Sequence, residues 1–114
     1  MHSVVERVRE RMRARGFPGT LLPENMASET FDEATGAFTV ALTAKVDIEV
    51  EGIKVHYGRA ISGVIVDGKI THLKGVKVKQ GFWVAIGAIV VQGSDLVFKV
   101  GPIQKAVPRS AFDD

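Results

Sequence analysis

The sequence predicts a mainly β fold, a small antiparallel β barrel or sandwich behind an N-terminal α-helix. Three observations carry this. Every even position across residues 38–50 is apolar (Phe38, Val40, Leu42, Ala44, Val46, Ile48, Val50), while the odd positions are mostly Thr, Lys, Asp and Glu. A period of two turns one face to a core and the other to water. Shorter segments of the same alternation, separated by Gly-containing turns, recur as far as Val100, and only residues 3–15 carry a helical period.

The helix comes first. Ser3 and Glu6 have the spacing of a capping box, and Val4, Val5, Val8 and Met12 fall within about 100° of arc, with Arg7, Arg9, Arg11 and Arg13 outside it. Gly16 and Pro18 end the helix. Residues 16–23 (GFPGTLLP) form a turn whose Phe17, Leu21 and Leu22 plug one end of the core. Residues 28–32 lead through a hairpin at Gly36 into the ribbon of residues 38–50. At roughly 3.3 Å per residue that ribbon would exceed about 40 Å if straight, so it bends near Ala44 and Lys45 and serves two sheets or curls around a barrel.

Glu51-Gly52 is the next turn, after which Ile53, Val55 and Tyr57 alternate with Lys54 and His56, and Gly58 bulges or bends the strand. Asp67-Gly68, between residues 61–66 and 69–73, is the strongest hairpin signal, because Asp-Gly favours a tight primed turn. Val76 and Val78 point inward between outward lysines. Across residues 82–91 both parities are apolar, which predicts a strand covered on both faces or one whose second face is a ligand surface. Leu96, Phe98 and Val100 form the last expected strand, and residues 108–112 a final short helical turn.

The chain has 114 residues, 46% of them hydrophobic and 25% charged, which suits a single domain over residues 1–114, with the helix in 1–16 and the β body in 17–114. No stretch approaches the roughly 20 apolar residues that span a bilayer, and the N-terminus lacks a hydrophobic signal core, so the cytoplasm is favoured for the chain as given. There is no Cys, hence no thiolate nucleophile and no Cys-based metal site. Residues 1–16 hold five Arg against two Glu, whereas the remainder holds ten basic and eleven acidic side chains. The basic balance belongs to the helix and reads as a solvated face.

Read in order, GFPGTLLP (16–23), FDEATGAF (31–38), EGIKVHYGRAISGVI (51–65), DGKITHLKGVKVKQGFWVAIGAIVV (67–91), LVFKVG (96–101) and PRSAF (108–112) resemble the plant family known as domain of unknown function 538. The resemblance covers essentially the whole chain and implies a small, mainly antiparallel β barrel or sandwich behind a helix. For activity it implies either a lipid-binding module, by likeness to the bactericidal/permeability-increasing proteins, or the binding or hydrolysis of chlorophyll, with a link to stress responses. Two departures stand out: the Cys that many members carry near the position of Val46 and at the C-terminus are absent, and Thr20 stands where the family has Gly before Leu-Leu-Pro.

Catalysis would need a nucleophile, a base and an orienting acid in mutual reach. Ser62, His56 and Asp47 are the best set, but the six strand residues from Ser62 to His56 span about 20 Å if extended. No catalytic residue is therefore assigned. His2, His56 and His72 lack the spaced partners of a metal site, and no cofactor is implied. Residues 79–84 (KQGFWV) resemble an RNA-recognition strand, but that module needs two helices on its sheet and the chain has no room for them, so no nucleic acid is expected. The remaining reading is a noncatalytic module for a lipid or pigment-like amphiphile, with Trp83, Phe82, Tyr57 and Phe98 as ligand-binding residues. A chlorophyll-type esterase or a protein-interaction module are the alternatives. Trp83 is the foremost candidate, since its parity opposes that of Phe82 and Val84.

Overall fold

The computed structural model describes residues 3–112. Helix α1 (Val4–Ala14) and a 3₁₀ turn (Gly19–Leu21) precede nine strands, and a second 3₁₀ turn (Arg109–Phe112) follows them. The strands are β1 (Met26–Phe31), β2 (Ala37–Leu42), β3 (Val46–Val50), β4 (Ile53–Val66), β5 (Lys69–Gln80), β6 (Phe82–Ala85), β7 (Ala88–Gln92), β8 (Asp95–Val100) and β9 (Ile103–Pro108). All belong to one antiparallel sheet of order β1-β2-β4-β5-β7-β8-β9, with β3 added to β4 and β6 to β5. The fold is thus mainly β with an N-terminal helix, as expected, and the sheet is not closed: β1 and β9 each pair on one side only.

Helix α1 begins and ends by local rules. The Ser3 hydroxyl accepts from the Glu6 N–H at 3.2 Å. At the other end the Gly16 N–H reaches the Arg13 carbonyl and the Phe17 N–H the Met12 carbonyl, the paired bonds of a Schellman ending, with Gly16 at φ +89°. Val8 and Met12 are buried in the common core, and Phe17, Leu21 and Leu22 fill its end as the sequence suggests. The helix arginines dock on β1: Arg11 Nη1 lies 3.0 Å from Glu29, and the Arg11 and Arg15 guanidinium groups stack over Phe31 at 4.2 and 4.9 Å.

The ribbon of residues 38–50 breaks over residues 43–45, where the bend was expected, and both halves pair with β4. The two central strands are shared. The C-terminal half of β4 carries β2 and its N-terminal half β3; the N-terminal half of β5 carries β7 and its C-terminal half β6. Register shifts between Tyr57 and Ser62, next to Gly58 and opposite Gly75, bend this shared ribbon and let one face curl around the core. Apolar side chains from α1 and from strands as distant as β2 and β9 meet there.

Three expectations need correction. The apolar run over residues 82–91 is two strands, interrupted at Ile86 and Gly87. Val78 faces Val84 and Ile70 faces Ile89, so β5 runs eight residues where its partner runs five, and the surplus bulges around His72 (φ +53°) and Gly75 (φ +92°). Inward parity therefore switches from Val84 and Ile86 to Ile89, and double apolarity reflects that switch. Next, residues 103–108 form β9, paired with β8 along its length; Gln104 and Lys105 hide the alternation because the strand is an exposed edge. The hairpin at Asp67-Gly68 forms, yet Asp67 has no positive φ; the primed geometry belongs to Glu51 (φ +50°) and Gly52 (φ +77°). Phe82, expected as a ligand-binding residue, shares inward parity with Val84 and sits beyond the end of the core, 72% exposed.

Tyr57 shows how strand and turn are joined. Its ring is 3% exposed, and its hydroxyl donates to the Leu21 carbonyl at 2.7 Å, tying β4 to the plug. Burial raises its pKa far above the ordinary 10.0. The folded state thus holds the phenol neutral while the unfolded chain ionises it near pH 10, so this group's stabilisation is complete below pH 10 and is lost as pH rises through the folded value. Tyr57→Phe is expected to cost about 1 kcal/mol at pH 7, by leaving the Leu21 carbonyl without its donor. The melting-temperature gap between the two proteins should narrow from pH 9 to pH 11. A gap that stays constant would show that the phenol titrates alike in both states.

Candidate binding face on strands β3 to β6

The outer face of the end formed by β3, β4, β5 and β6 gathers the polar and aromatic side chains left over from the core. Register alone builds two rows. Asp47 lies opposite His56, His56 opposite Lys77, and Lys77 opposite Ala85. In the neighbouring row Glu49 faces Lys54 and Lys79 faces Trp83. Acids occupy the β3 edge, lysines the two central strands, and Trp83 the β6 edge.

Side-chain contacts bind these rows together. Asp47 Oδ1 accepts from His56 Nδ1 at 2.6 Å, so Nδ1 carries the proton and Nε2 is left for another partner. The His56 and Trp83 rings lie 5.8 Å apart at a 58° tilt. Lys79 Nζ stands 5.4 Å from the Trp83 ring centre, within cation–π range. Trp83 remains 42% exposed. It lines two open depressions of about 350 and 420 Å³, the first shared with Asp47, His56 and Lys77, the second with Asp47, Ile48, Glu49 and Lys54.

The four aromatic residues expected at a binding site fall into two groups. Phe82 and Trp83 are exposed at the start of β6, just past the β5–β6 turn at Gly81. Tyr57 and Phe98 are buried, the latter edge-on to Phe112 at 6.1 Å between centroids. Both line an apolar cavity inside the sheet of about 20 Å³, room for about one water. A lipid chain would have to part the core to enter it.

Ser62 stands apart from this arrangement. It sits on the other half of β4, facing Thr39 on β2 and Lys74 on β5, and lines neither depression. The Asp47–His56 pair thus forms without a serine beside it. His2 lies outside the described residues. Among the described residues no three His, Asp or Glu converge as metal ligands, and no helix is long and apolar enough to cross a membrane.

Sequence reasoning found Trp83, grouped Asp47 and His56 only with Ser62 as a possible catalytic set, and did not join them or the lysines to Trp83. The signal for them was present: a two-residue turn at Glu51-Gly52 pairs Val50 with Ile53 and therefore Asp47 with His56. Lys77 and Lys79 joined them only through the β4–β5 register, which depends on the bulge between Tyr57 and Ser62.

Similarity to known proteins follows the same span. The uncharacterized protein At5g01610 of Arabidopsis thaliana is 25% identical over 105 residues, which cover 91% of this chain and 61% of that relative. The chain thus spans about three fifths of that relative's length. A family described as protein of unknown function, DUF538, matches residues 8–113. With the match running from the second turn of α1 through every strand and the aromatic face, the chain belongs to the DUF538 family.

Proposed function

We propose that the protein is a noncatalytic binding module for a lipid or similar amphiphilic small molecule with an anionic head, and that the ligand meets Trp83 and Phe82 on the outer face. The observation that carries this reading is the exposed Trp83 ring with Lys79 over it, His56 against it and Lys77 in the same depression. Such a site offers an apolar surface for a chain or ring system beside cationic donors for a head group. Tyr57 and Phe98 act from inside the core. Tyr57 follows His56 in β4, and its fixed ring sets the position of the strand that presents His56.

The chain's only tryptophan is its own reporter. Titration with lysophosphatidylglycerol, kept below its micelle concentration, is expected to give a saturable change in Trp83 emission. Lys79→Gln should weaken binding about fivefold, while Lys105→Gln on β9 leaves it unchanged. No saturable change, or equal effects from the two variants, removes the support for this reading and favours a protein-interaction module using the same aromatic residues.

A further inference from the structure

Phe82 and Trp83 follow Gly81 at the tip of the β5–β6 hairpin, and at 72% and 42% exposure they are the two most prominent aromatic side chains on the surface. An apolar tip of this kind loses its hydration cost only when something covers it. Its surroundings indicate what. Phe82 projects beyond the core end of β6, Trp83 lies on the outer face beside it, and Lys79 and Lys77 stand directly behind on β5, with Lys54 next to them on β4. An aromatic edge backed by lysines matches an interface where apolar chains lie just beneath anionic head groups. The acids of this end, Asp47 and Glu49 on β3 and Glu51 in its turn, lie three strands from β6, with β4 and β5 between, and Asp47 and Glu49 line the far side of the depressions that Trp83 borders. Docking edge-on by β6 brings Lys77 and Lys79 on the adjacent strand to the head groups first, with Asp47 and Glu49 set back across β4.

We propose that the β5–β6 hairpin tip docks the protein on an anionic bilayer, with Phe82 and Trp83 inserted at the head-group level and Lys77 and Lys79 contacting lipid phosphates. This rests on the amphiphile-binding reading and deepens it: the amphiphile is met in a membrane surface. The core stays closed in this mode, consistent with an internal cavity of about 20 Å³.

The test uses the full chain and vesicles of phosphatidylcholine alone or with about 30% phosphatidylglycerol, at low salt. Co-sedimentation is expected with the anionic vesicles only, accompanied by a blue shift of Trp83 emission and stronger quenching by lipids brominated near the head group than by lipids brominated deep in the chain. Phe82→Ser is expected to weaken partitioning at least fivefold at unchanged melting temperature, and Lys77→Gln with Lys79→Gln at least tenfold. The quenching profile needs no variant, so it decides the matter even if a variant folds poorly. Vesicle binding without Trp83 quenching overturns the proposal, assigning adsorption to another surface such as the α1 arginines. A saturable response to monomeric lysophosphatidylglycerol without vesicle binding overturns tip docking and leaves the small-molecule reading standing. No response to either overturns both, and a dimer that hides Trp83 and abolishes vesicle binding assigns the tip to self-association instead.

Discussion

Gly75→Val is expected to destabilise the protein by about 3 kcal/mol or more, lowering its melting temperature by about 12 °C or more for a domain of this size. Gly75 has φ +92°, and a Cβ there would lie 2.1 Å from the Ala60 carbonyl oxygen and 3.1 Å from Ile61 Cα. Both obstacles are backbone atoms of β4, so the clash is relieved only by separating the two central strands. Those strands carry β2, β3, β6 and β7, and a local separation spreads through the sheet. The β-branched side chain is also poorly suited to a left-handed backbone. Gly93→Ala is the control: Gly93 has φ +59° with nothing within 4 Å of its added Cβ, so only the conformational cost of about 1 kcal/mol applies. Urea or thermal unfolding of the two variants measures the difference. Equal losses would mean that the close approach of β4 and β5 at the bend is not maintained in solution.

Phe17→Ala is expected to cost about 3–5 kcal/mol, the range for deleting a fully buried aromatic ring. Phe17 is 0% exposed. It is also the residue that closes the helix ending, its N–H donating to the Met12 carbonyl at 3.0 Å, so its ring couples α1 and the plug to the core. Against a typical total stability of about 5–15 kcal/mol, such a loss leaves a marginal fold. Phe17→Leu keeps most of the apolar volume and should cost about 1.5 kcal/mol or less. Chemical denaturation gives the magnitudes, and amide hydrogen exchange locates them: α1 amides should lose protection before those of β4 and β5. Uniform loss across the sheet would show instead that the helix and sheet unfold as one unit.

Where one residue's environment depends on its near neighbours, the sequence was legible. The Ser3 cap, the Gly16 ending, the bend after Leu42, the inward Val76 and Val78 and the outward Trp83 all follow from patterns a few residues long. Where partners lie far apart, it was not. Phe82 has the parity of a core residue and the exposure of a surface one, because parity says which side of a sheet a residue takes and nothing about where the core ends. β9 was hidden for a related reason, since an edge strand held by its pairing to β8 need not alternate cleanly. The candidate face was half visible: Trp83 from its parity, Asp47 and His56 from a turn whose geometry had been assigned to Asp67-Gly68 instead.

Local sequence dictates the mainly β character, the single N-terminal helix, most of the turns as far as Asp67-Gly68 and the alternation of faces within an unbroken strand. These depend on steric preferences and hydrophobic periods that act over a turn of helix or a pair of strand residues. The tertiary structure decided which halves of β4 and β5 carry β2, β3, β6 and β7, that the sheet curls without closing, and that Asp47, His56, Lys77 and Trp83 share one face. Those outcomes turn on bulges at Gly58, His72 and Gly75 that reset register. A shift of one residue exchanges inside for outside along a whole strand, and the choice among registers is made by burial summed over the assembled core, a quantity no local window contains.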